Sequence, residues 1–215
     1  MEKYELGVAV QKIYDFIWDE CCDWYIEMVK PRLYAKDDAK SRNAALYTLK
    51  TVLIDALKLL HPYMPFVTEE IFCTLQDEEE SIMVSDWPVY DEARNFAKEE
   101  AEIETIKEAI RGIRNVRTEM NVPPSKKAQV FVVSDSEEKR AVFTGNNDFF
   151  KTLAYASVVI VQADKSGIAD DAVSVVIAHV NIYMPLGDLV DLEKELERLK
   201  KEEQRLEGEL QRVNG

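Results

Sequence analysis

A mainly α chain is predicted: a helical bundle first, a small α+β unit next and a single coiled-coil helix last. Three patterns carry that prediction. Apolar residues recur at helical spacing over roughly the first 120 positions. Short β-branched runs replace them between Ala128 and Met184. A leucine heptad closes the chain. The expected divisions are residues 1–124, 125–187 and 188–215.

In the bundle, Leu6, Val10, Ile13, Tyr14, Ile17, Trp18, Trp24, Tyr25 and Met28 fall near steps of three and four. They make one face of a long helix that should end near Pro31. Ser41 is placed to cap a second helix, with Leu46, Leu49, Leu53, Leu57 and Leu60 as its stripe. An elbow follows at His61-Pro62-Tyr63-Met64-Pro65-Phe66. Pro62 lacks a donor and pushes His61 away from helical geometry, while Pro65 suits the first turn of a third helix over 65–76. Glu69 and Glu70 then favour the positive end of its dipole. Residues 77–80 are an acidic loop, and 82–90 are expected to be extended and anchored by Trp87-Pro88. A fourth helix over 91–119 stops at Val122-Pro123-Pro124.

The second part reads as a strand over 128–134, then helix over 136–155 broken at Gly145-Asn146-Asn147. Strands follow at 158–161, 173–177 and 182–184, with a turn at Asp164-Lys165-Ser166-Gly167. A unit this small is marginal alone and should lean on the fourth helix. In the tail, Leu189, Leu192, Leu196, Leu199, Leu206, Leu210 and Val213 form a heptad seam, with Glu203 in one core slot. A lone amphipathic helix gains little without a partner, so the seam offers a route to a homodimer.

Composition excludes several classes. With 47% apolar residues the chain can bury a core, and it has no run of about 18 apolar residues that would cross a membrane. No secretory signal pattern begins it. Cys21, Cys22 and Cys73 lack C-x-x-C spacing, so neither zinc nor a disulfide framework is expected. They read as small buried hydrophobes of a cytoplasmic protein. The net charge of −14 opposes nucleic acid overall. It is uneven, however. Residues 76–104 carry eleven acidic and two basic side chains; 30–58 carry seven basic and three acidic; 107–127 carry six basic and two acidic.

The string Leu59-Leu60-His61-Pro62-Tyr63-Met64-Pro65-Phe66-Val67-Thr68-Glu69-Glu70-Ile71-Phe72 resembles the signature of the helical anticodon-binding domain of class I aminoacyl-tRNA synthetases. Trp18-Asp19-Glu20-Cys21-Cys22-Asp23-Trp24-Tyr25-Ile26-Glu27 is similar to the aromatic helix before it. The stretch from Ile110 through Arg117 to Lys127 resembles the one that follows in the bacterial valine-charging branch. Order and spacing match through to the heptad. The resemblance therefore implies recognition of valine tRNA by the C-terminal region of a ligase that uses ATP elsewhere. The family's His-Ile-Gly-His and Lys-Met-Ser-Lys-Ser types of ATP signature do not occur, nor does a phosphate-cradling glycine loop. No catalytic residue, metal or cofactor is expected here, and the chain alone should not aminoacylate.

The resemblance places an aromatic facing an anticodon base at Tyr4, beside Lys3, and an aliphatic contact at Ile71. Single-stranded loops are read by such splayed, stacked contacts while Lys and Arg hold phosphates. Packing within the bundle is the competing reading for both Tyr4 and Ile71. Arg111, Arg114 and Arg117 step by three along one helix and suit a phosphate backbone, as do Lys126 and Lys127. A solvated face paired with Glu108 and Glu119 is the alternative. Two departures from the family are a further helix expected before Met1 and Cys21 where Phe is common. The tail resembles the first helix of a two-helix tRNA-binding arm whose second helix is absent. Rival readings are an isoleucine- or leucine-charging relative, and a helical scaffold that binds protein through the heptad and never meets RNA.

Overall fold

The computed structural model describes residues 5–35, 37–177, 180–189 and 205–206. Contacts divide the chain into two compact units, Met1–Asn95 and Phe96–Gly215.

The first unit is helical. Helix α1 (Leu6–Asp15) runs into an eleven-residue π-helical stretch (Phe16–Ile26) and on into α2 (Glu27–Tyr34). The helix ends near Pro31, as expected, but not at it. Pro31 lies inside α2, and the helix ends only where Ala35 turns extended. Buried Met28 and Val29 hold this last segment against the next helix, offsetting the lost hydrogen bond. Tyr14 and Trp18 also depart from the expected buried face. Both are more than half exposed, and their rings stack with centroids 6.4 Å apart. Trp24 and Met28 are buried as expected, and the wider π turn shifts the helical phase so that Cys21 joins them in place of Tyr14 and Trp18.

Helix α3 (Ala39–Leu60) is capped by Asp38, not Ser41: Asp38 Oδ1 accepts from the Ser41 N–H at 2.9 Å. Ser41 serves a different contact. Its Oγ accepts from Arg32 Nε at 2.8 Å, fastening α2 to α3. The buried positions of α3 are Ala45, Ala56 and Leu57, while Leu46 faces out. Small alanines there let the neighbouring helices approach. Helix α4 (Pro65–Leu75) packs on α3 through Phe72, which joins Leu57 and Ile82 in a small core. Residues 82–90 are not a continuous extended segment. They open with a 3₁₀ turn (Ile82–Val84), whose buried Ile82 is the anchor; Trp87 is half exposed.

The second unit starts with α5 (Ala97–Glu119), after a short 3₁₀ turn (Glu92–Arg94) that Asp91 caps. A four-stranded sheet in the order β2-β1-β4-β3 follows, from β1 (Ala128–Val133), β2 (Ala156–Gln162), β3 (Val173–Ile177) and β4 (Val180–Met184). The parallel pair β1–β2 needs a crossover. Helices α6 (Glu137–Gly145) and α7 (Asn147–Leu153) supply it, broken where the Gly-Asn-Asn run predicts. The other two pairings are antiparallel.

As expected, the sheet leans on the long helix. Ile106, Ala109, Ile110 and Ile113 of α5 are fully buried, and α5 packs against β3. The opposite side of β1 and β4 buries Phe131, Val133 and Tyr183 beneath Ile160, Ile168 and Ala172. The turn α8 (Leu186–Leu189) is tied to β1 by Asp188 Oδ2, which accepts from the Gln129 N–H at 2.9 Å. Most of the heptad lies outside the described residues; Leu189 is buried, and Leu206 is half exposed on a helical turn.

Candidate nucleic-acid interface

The elbow in the first unit is built by side chains rather than by proline alone. His61 keeps helical dihedrals, against the expectation from Pro62, and its N–H bonds to Leu57 O at 2.8 Å. Its ring explains the difference. The Thr68 hydroxyl donates to Met64 O at 2.8 Å, so its oxygen accepts from His61 Nδ1 at 2.7 Å. Nε2 faces Met83 Sδ at 3.0 Å. Thr68 is fully buried, so this network fixes the angle between α3 and α4.

Glu69 and Glu70 lie beyond the first turn of α4. Glu69 instead gathers the loop that follows the helix. Its Oε2 accepts from the Ile82 N–H at 3.1 Å. The Ser81 hydroxyl bond, with that backbone bond, holds its carboxyl below the usual glutamate range. Cys73, read as buried, is exposed. Partial loss of solvent around its sulfur and the nearby Glu69 push its thiol up, so it is not an activated nucleophile.

Held at this angle, α4 turns an apolar face to solvent. Phe66 is 90% exposed, Val67 44% and Ile71 38%. Ile71 is therefore not a core residue. Lys3 and Tyr4 lie outside the described residues. The sequence reading singled out Ile71 and missed Phe66 and Val67. The available signal was Pro65, which fixes the helix start and hence the phase of each residue after it.

In the second unit, the three arginines of α5 have separate surroundings. Arg111 is exposed and pairs with Glu104 at 2.8 Å. Glu104 also receives buried Lys107 at 2.7 Å, and the two cations hold its carboxyl below the usual range. Arg114 donates Nε to Leu153 O at 2.7 Å, joining α5 to the end of α7. Arg117 is buried. Its Nη2 donates to Pro123 O at 3.1 Å and Lys126 O at 2.6 Å, and its guanidinium lies 5.3 Å from the Tyr155 ring centre. Of the two lysines beyond the helix, Lys127 is exposed and Lys126 half-buried.

The first unit by itself offers stacking and apolar contact from α4, and the second by itself offers cations at Arg111, Lys126 and Lys127. Among the described residues, no cluster of three or more His, Cys, Asp or Glu side chains is placed to hold a metal. No described helix is long and apolar enough to cross a membrane. A cleft of about 230 Å³ between α5 and α6, floored by Ala101, Thr105, Val142 and Phe143, contains none of the predicted site residues.

The family model described as the anticodon-binding domain of tRNA ligase matches residues 1–132. The chain belongs to that family. The match covers the whole first unit, α5 and most of β1. Similar proteins agree with it. A valine–tRNA ligase from Clostridium perfringens is 52% identical over 199 residues, 93% of this chain and 22% of the relative. One from Clostridium acetobutylicum is 48% identical and one from Carboxydothermus hydrogenoformans 41%, with the same coverage. The chain thus spans about a fifth of the length of the relatives it matches.

Proposed function

We propose that the chain is the tRNA-reading C-terminal region of a valine–tRNA ligase, working in the cytoplasm. The observation that carries this is 52% identity to such a ligase across 93% of the chain. The geometry supports it. A rigid elbow presents Phe66, Val67 and Ile71, the kind of apolar surface on which splayed loop bases settle. Lys3 and Tyr4 complete this proposed anticodon site. Arg111, Arg114, Lys126 and Lys127 are proposed to meet phosphates, Arg111 and Arg114 by exchanging their present partners. Attachment of valine with ATP belongs, in this reading, to the remaining four-fifths of the parent ligase. The heptad is proposed as one helix of a tRNA-bracing arm, and a homodimer through its seam would show as concentration-dependent sedimentation.

Titration of a labelled valine tRNA tests the main reading. Binding should favour valine tRNA over an unrelated tRNA and weaken in Ile71→Asp and Phe66→Ala. The chain alone should show no valine-dependent pyrophosphate exchange. Equal binding of both tRNAs, unaffected by either substitution, would sink the anticodon assignment, and binding of neither would favour the protein-binding scaffold.

A further inference from the structure

Arg117 looks like a phosphate ligand in the sequence, but its side chain points elsewhere. It grips the segment that leaves α5 from two sides. Its backbone carbonyl accepts from the Val122 N–H at 2.8 Å. Its Nη2 donates to the carbonyls of Pro123 and Lys126. Between these contacts the chain reverses at Asn121, whose φ is 53°, in the left-handed region. The Lys126 N–H closes the turn onto Pro123 O at 3.0 Å. Tyr155, also left-handed at φ 55°, lays its ring by the guanidinium, and its carbonyl accepts from the Ala128 N–H at 3.3 Å. The guanidinium is thus fixed between the turn and the start of β2, and the turn is fixed to the guanidinium. Two prolines at 123 and 124 stiffen the same segment.

We propose that Arg117 is a positioning residue for RNA: it clamps the 120–127 turn so that half-buried Lys126 and exposed Lys127 meet phosphates from a backbone that is already fixed. This rests on the phosphate reading of those lysines. The chemistry favours the division of labour. A planar guanidinium can serve two carbonyls at once, whereas a lysine ammonium is a flexible point charge whose entropy on binding falls when its backbone is fixed.

The test is the salt dependence of valine-tRNA binding by the 215-residue chain. Lys126→Ala/Lys127→Ala should lower the slope of log affinity against log salt by about one unit per lysine that meets a phosphate. Arg117→Gln should lower it similarly, and should add little when combined with the double lysine variant. Arg117→Lys keeps the charge but loses the planar fork, and should behave like Arg117→Gln. A full slope in Arg117→Lys, or losses that simply add, would overturn the clamp and make Arg117 a direct contact. A slope lost in the lysine variant but kept in Arg117→Gln overturns the clamp alone. No change in the lysine variant overturns the phosphate reading beneath it. Should Arg117→Gln fail to fold, Asn121→Val strains the same turn while leaving Arg117 in place, and should reproduce the lower slope.

Discussion

Glu69 carries a consequence for acid stability. Its carboxylate accepts from Ser81 and from the Ile82 backbone, and these bonds lower its pKa. A group lowered on folding stabilises the folded state above its unfolded pKa, about 4.3 for glutamate. That contribution is lost as pH falls through the lower folded value. The thermal midpoint should therefore drop as pH goes from about 5 to about 3, and Glu69→Gln should flatten that part of the drop. An unchanged acid limb in Glu69→Gln would show that other carboxylates set it. The sequence named this residue but for a different reason, because a dipole contact is local. The partner across the loop lies thirteen positions away, and only the fold brings it near. Ile71 shows the same limit. Its helix was evident, yet whether it faced core or solvent depended on which side α3 covers.

Helix phase and strand order had different legibility. The break between α6 and α7 and the strand β3 fall where the turn residues and β-branched run indicate. The π-helical stretch does not, because its wider turn leaves the same apolar composition and changes only which residues align. Gly112 was similarly hidden inside the arginine run. A Cβ there would stand 2.6 Å from Val175 Cγ1, so the missing side chain is what lets α5 lie close on β3. Alanine is favoured over glycine in a helix by about 1 kcal/mol. Overpacking a β-branched neighbour costs about 1–3 kcal/mol, and Val175 has little rotamer freedom with which to yield. Gly112→Ala should therefore lower the thermal midpoint, and Gly112→Ala/Val175→Ala should recover part of it. A raised midpoint in the single variant would mean that β3 can move away freely. The same contact explains why α5 groups with the sheet although the family match runs across it to residue 132.

Charge acts over the full chain, and it opposes the contacts proposed for RNA. The net charge is −14, yet residues 107–127 carry six cations against two anions. The two effects have different reach. Local contacts release counterions from phosphates, so they weaken steadily as salt rises. Repulsion between the acidic protein and tRNA acts over the Debye length, about 30 Å at 0.01 M and about 10 Å at 0.1 M. At the lower salt the acidic stretch over 76–104 should be felt along with the basic patches. At the higher salt only near charges remain. The plot of log affinity against log salt should therefore bend: nearly level at about 0.01–0.05 M, then falling with a slope set by a few phosphates. Replacing Glu78, Glu79 and Glu80 by glutamine should extend the falling limb to lower salt while leaving its slope unchanged, since those side chains are exposed and outside the proposed contacts. Fluorescence anisotropy with valine tRNA across that range decides it. A straight line to the lowest salt would mean that the acidic charge is directed away from the bound RNA, and a flat line would remove phosphate contacts from the mechanism altogether.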